Sequence, residues 1–187
     1  PETCEARKRE QLRRHILELQ DWFTAIERCR KPVLAAIHGA CVGAGVDLVT
    51  ACDLRYSTAS AFFQVKEVDL AITADVGTLQ RLPHLVTHGV AQELSLTARK
   101  VPGSEAQSLG LVNRCFETSE VLLEGVRQIA QGIAEKSPLA VQGTKEILLH
   151  ARDHTVAEGL RYVAAWNAAA LLSDDLTEAT SAFLQKR

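Results

Sequence analysis

The stretch that most restricts the fold is residues 33–53, VLAAIHGACVGAGVDLVTACD. It follows Pro32, which ends any preceding helix, and its opening residues are apolar throughout, as in a short strand buried on both faces. Gly39, Gly43 and Gly45 then permit a tight turn and a close backbone approach, and VDLVTAC has the composition of a helix beginning near Asp47.

Upstream, Leu12, Ile16, Leu19, Phe23 and Ile26 fall alternately four and three apart and predict one amphipathic helix over residues 4–30. Downstream, DLRYST and AFFQV are rich in aromatic and β-branched residues and predict two more strands, joined around Ser60. Short helices follow in VGTLQRLPHLV, VAQELSL and SEAQSLG, separated by Pro83, Gly89 and Pro102-Gly103, and then a strand in LVNRCF. From Ser119 onward the period is helical throughout. Strands near the start and helices afterwards make an α/β or α+β layout. No repeat or low-complexity linker divides it. The broad apolar faces of the last helices, with Trp166, Leu171 and Leu172 clustered, predict oligomerisation.

The 187 residues are 47% hydrophobic, enough for one packed core, and 21 basic against 23 acidic residues leave a net charge of -2. That balance offers no broad positive field, so neither nucleic acid nor a membrane surface is the expected partner. No apolar run reaches the roughly 20 residues of a membrane helix, and the chain reads as soluble. Five scattered cysteines without a CxxC pair suit a reducing compartment. A first residue of Pro and no methionine predict that the chain is part of something longer.

Two features carry chemistry. Gly43-Ala44-Gly45 leads into a helix, whose first N–H groups are unpaired and lie at the positive end of the dipole, so the turn either holds an oxyanion or is simply a tight turn. It is not GxGxxG, which excludes a dinucleotide reading. The second feature is three carboxylates in apolar surroundings, Asp47, Glu67 and Asp75. Burial raises a carboxyl pKa toward the range useful for proton transfer, whereas the plainer alternative for each is a helix cap or a partly exposed acid. Asp75, just before a helix predicted at Val76, suits an N-cap. His38 reads as a core or turn histidine; His84, His88, His150 and His154 lack the spacing of a metal site, and no metal is expected. Cys41 and Cys52 read as core residues, and Asp53 as a binder of backbone groups at a turn.

The run PVLAAIHGACVGAGVDLVTACDLRYSTASAFFQVKEVDLAITADVGTLQRLP combines A-A-I-H-G-x-x-x-G-x-G, the C-D-L-R-Y and A-x-F strands and a G-T-Q-R-L-like segment, and so resembles the enoyl-CoA hydratase/isomerase, or crotonase, superfamily. The resemblance covers roughly residues 10 to 180. It implies a crotonase-like (ClpP/crotonase) α/β spiral core in residues 1–134, with the N-terminal part of that fold missing, and a C-terminal all-helical oligomerisation layer in residues 135–187. Within the superfamily, FFQVKEVDLAITADVGTLQRLP looks like the isomerases that shift 3,5-dienoyl-CoA to 2,4-dienoyl-CoA. The resemblance makes Glu67 the base at the carbon alpha to the thioester, Asp75 the acid at the remote end of the diene, Asp47 the acid that sets the state of the base, and the Ala44 N–H an oxyanion donor. It implies an acyl-CoA thioester substrate, no cofactor beyond the CoA of that substrate, a homotrimer or homohexamer, and a mitochondrial matrix or peroxisomal location. An enoyl-CoA hydratase, or a catalytically silent oligomerising subunit, is the alternative.

Overall fold

The apolar stripe of the first segment winds into α1 (Glu5–Arg28), in a computed structural model that describes residues 4–185. β1 (Leu34–Ile37) follows Pro32 as expected. The chain then turns over His38-Gly39 into β2 (Ala40–Val42), a strand that the sequence did not announce. Three residues between glycines are too short to show a period of two. His38 occupies this turn and is exposed, which makes it a turn histidine and not a core one. After β2 comes α2 (Ala44–Ala51), which starts three residues before the expected position.

β3 (Leu54–Thr58) and β4 (Phe62–Gln64) repeat the β1–β2 step. β1 pairs in parallel with β3, Leu34 opposite Leu54 and Ile37 opposite Ser57, while β2 pairs in parallel with β4, Cys41 opposite Phe63. After β4 come a 3-10 turn (Glu67–Leu70), α3 (Thr78–Arg81), α4 (His88–Thr97), β5 (Val101–Pro102), α5 (Gly103–Ser108), β6 (Arg114–Phe116) and α6 (Ser119–Ala134). β5 lies antiparallel to β4 and β6 parallel to β3. The result is two three-stranded sheets, β1-β3-β6 and β2-β4-β5, between which the chain steps repeatedly, an α/β spiral.

Val46, Phe63, Leu82, Leu94, Val101, Leu111 and Val112 fill the main core. Each such side chain contributes about 1.5–3 kcal/mol when fully buried. Residues from both sheets and from α2, α4 and the segment around Leu82 meet there, so the core holds α2 and the turn that opens it against the sheets.

By compactness the chain divides into Pro1–Ala130 and Gln131–Arg187. The second unit is helical as expected: α7 (Pro138–His150), α8 (Val156–Ala170) and α9 (Asp174–Leu184). Ser137 caps α7, Ser173 caps α9, and Thr155 forms a reciprocal capping box with Glu158 at α8. Val156, Leu172 and Phe183 stand at least four-fifths exposed on this unit. Among the described residues no helix is long and apolar enough to cross a membrane.

Candidate active site

Gly43 adopts φ 54° and ψ -119°, a conformation that glycine alone enters without strain. Its N–H donates to the Gln64 carbonyl at 3.0 Å, which ties the turn to β4, and the Val46 N–H folds back onto the Gly43 carbonyl at 2.7 Å. Ala44 and Gly45 thus occupy the first turn of α2, where an α-helix has no preceding carbonyl for its N–H groups. Ala44 is exposed.

Glu67 opens the 3-10 turn after β4 and lies against this glycine: a Cβ on Gly43 would stand 3.3 Å from Glu67 Oε1. Its other oxygen, Oε2, is buried and has no hydrogen-bond partner among the described residues. Burial pushes the Glu67 carboxyl above the ordinary range, the charges of Asp47 and Asp75 push the same way, and backbone N–H groups at Glu67 and Lys66 oppose them.

Asp47 is 1% exposed. A carboxylate that deep needs compensation, and it has two sources: it sits in the first turn of its own helix, and Oδ1 accepts the Thr78 N–H at 2.6 Å. Asp47 therefore performs the capping expected of Asp75. The N-cap of α3 is Gly77, which offers no side chain, and Asp75 lies two residues upstream.

Asp75 itself is exposed, not enclosed by the apolar residues around it in sequence. Its position is marked by its backbone: the carbonyl accepts from Gln20 Nε2 at 2.6 Å. Next along, Arg81 Nη1 donates to the Val76 carbonyl at 3.4 Å, while its Nε and Nη2 reach Glu27 Oε2 at 3.2 and 3.0 Å and Nη2 reaches Thr24 Oγ1 at 3.1 Å. The Arg81 guanidinium fills the space beside Gly77, whose φ of 132° also demands glycine. Sequence reasoning missed Gln20, Thr24, Glu27 and Arg81. The one signal available was Arg81, the single charged residue of LQRLP.

The structure thus brings Asp47, Glu67 and the Gly43-Ala44 turn together, with Asp75 near enough for its charge to act on Glu67. Cys41 and Cys52 are buried, and burial pushes the Cys41 thiol up to about 12, which leaves it protonated and unreactive at neutral pH. Asp53 Oδ2 accepts the Val33 N–H at 2.7 Å, the backbone role expected of it. Among the described residues no group of three His, Cys, Asp or Glu side chains is arranged to hold a metal ion.

Residues 2–187 match the family described as enoyl-CoA hydratase/isomerase. The chain belongs to this family. A peroxisomal Delta(3,5)-Delta(2,4)-dienoyl-CoA isomerase of Arabidopsis thaliana is 61% identical over 97% of the chain, and a mitochondrial protein of the same name from Homo sapiens is 52% identical over 94%. The chain spans only 65% and 54% of the lengths of these two relatives. Among solved structures, enoyl-CoA hydratase from Bacillus anthracis superposes with a TM-score of 0.90 at 33% identity, covering 95% of this chain and 69% of that one. The spiral core and C-terminal helices are therefore the crotonase fold of this family.

Proposed function

We propose that the protein carrying this chain isomerises 3,5-dienoyl-CoA thioesters to 2,4-dienoyl-CoA, in the oxidation of unsaturated fatty acids. The observation that carries the reading is the Glu67 carboxylate, its pKa raised, lying against the Gly43-Ala44 turn at the start of α2. Glu67 takes a proton from C2, and the electron pair of that C–H bond delocalises onto the thioester oxygen on one side and along the diene to C6 on the other. The Ala44 N–H, at the positive end of α2, stabilises the oxyanion. Asp75 delivers a proton to C6, so that the double bonds come to rest at C2 and C4 with no net change in protons. Asp47 holds the α3 start in place and, by its negative charge, keeps Glu67 a stronger base.

Support comes from the relatives named dienoyl-CoA isomerases, at 61% and 52% identity, whereas a relative named as a probable enoyl-CoA hydratase, from Arabidopsis thaliana, is 36% identical. The peroxisomal and mitochondrial locations carried in those relatives' names support one of these two compartments for this protein. The exposed Val156, Leu172 and Phe183 support self-association, which in this reading takes the form of a homotrimer or homohexamer. The full-length protein, mixed with a synthetic 3,5-dienoyl-CoA, is expected to generate the ultraviolet absorbance of a conjugated 2,4-dienoyl thioester. Absence of that gain at high enzyme concentration refutes the reading.

A further inference from the structure

We propose that Gln20 is a positioning residue for Asp75, and that α1 thereby sets the distance between the two ends of the proton shift. The inference rests on the acid and base roles just assigned. Asp75 lies between the 3-10 turn and α3, in a segment without a strand ladder or helix to hold it. A polypeptide of this kind takes its place from the few hydrogen bonds that reach it. The Gln20 amide supplies one, from 55 positions away in sequence, to the carbonyl of Asp75 itself.

The grip extends along the helix. Gln20, Thr24 and Glu27 are spaced four and three apart, so they share one face of α1. Thr24 and Glu27 hold Arg81, which holds the Val76 carbonyl. The Arg81–Glu27 pair is shielded, with side chains 11% and 16% exposed, so it resists competition from water. One polar stripe on α1 thus takes hold of the Asp75 segment at two successive carbonyls. α1 also packs against α2, the helix that carries Ala44 and Asp47. The oxyanion donor and the Asp75 backbone are therefore both referenced to the same rigid rod, 24 residues long. Gln20 touches neither the reacting carbons nor Glu67 in this scheme; it acts through where it leaves the Asp75 carboxyl.

A positioning role has a signature that a merely structural one lacks, because the base and the acid work at different carbons. Replacing Gln20→Met keeps the side chain's length and removes its donor. In the full-length enzyme, the variant is to be assayed in D2O for two events on 3,5-dienoyl-CoA: deuterium uptake at C2, which needs Glu67, and appearance of the 2,4-diene, which also needs Asp75. The expected result is an isomerisation kcat lowered roughly tenfold or more, since a small misplacement of a catalytic group has costs of this order. KM, circular dichroism and Tm stay those of the parent, and C2 exchange continues, so that exchange gains on isomerisation by the same factor. Equal losses in both events, or no loss in either, overturn the proposal while leaving the acid and base assignments standing. A parent enzyme that neither exchanges C2 nor isomerises overturns the underlying reading instead.

Discussion

Thr78 donates its backbone N–H to Asp47 Oδ1 at 2.6 Å, across 31 positions of sequence. That bond joins the first turn of α2, which carries the Ala44 N–H, to the first residue of α3, just after Asp75. A buried carboxylate is thereby both a structural cap and a source of negative charge beside Glu67.

Asp47→Ala leaves the Thr78 N–H buried without its acceptor, and the expected loss of stability is about 1–3 kcal/mol. Asp47→Asn keeps an acceptor oxygen and loses the charge, so it retains more of the stability than the alanine variant. In both variants the Glu67 carboxyl titrates lower than in the parent, because a like charge has gone. Urea unfolding and carboxyl-carbon NMR titration measure the two effects separately.

Gly43→Ala places a methyl beside Glu67 Oε1 and forces alanine into a positive φ. The backbone strain alone is expected to cost on the order of 1–3 kcal/mol. Because the displaced group is the base we propose, turnover should fall further than the lost folded fraction accounts for, as parallel unfolding and rate measurements would show.

Glu67 has a pKa raised in the folded state, mainly by burial. An acid of this kind favours the folded state below its unfolded pKa, and that contribution is lost as pH rises through the folded value. Glu67→Gln is therefore expected to unfold at higher urea concentration than the parent at neutral pH, with the advantage shrinking as pH falls toward the ordinary glutamate range. Denaturation midpoints across that interval check the sign. In the parent enzyme the acidic limb of the kcat/KM profile should lie above the usual carboxylate range, and it should vanish with Glu67→Gln.

Glu27→Gln removes the charge that faces Arg81 in a shielded place. Breaking one side of such a pair is expected to cost about 3 kcal/mol, measurable by urea unfolding.

Much of this fold was legible in the residues. The alternation of Leu12, Ile16, Leu19, Phe23 and Ile26 gave α1, and the apolar run after Pro32 gave β1, because each is long or pure enough to carry its period. β2 and the turn opened by Glu67 were not legible, since each is too short to show one. The acids themselves stood out by their apolar neighbours, but neighbours in sequence do not determine exposure. Asp47 is enclosed because α2 turns it inward, and Asp75 is exposed because its segment runs along the surface. The exchange of capping roles between them, and the hold of Gln20 and Arg81 on the Asp75 segment, depend on pairings 31 to 57 positions apart that no local pattern encodes.

The most direct test of the central claim, that Glu67 and Asp75 serve opposite ends of one proton shift, is the rate at which full-length Asp75→Asn converts 3,5-dienoyl-CoA to the 2,4-isomer. The account predicts a kcat lowered about 10²–10⁴-fold, the usual worth of a positioned proton donor, in a protein that still folds and binds the thioester. Undiminished turnover by that variant would contradict it.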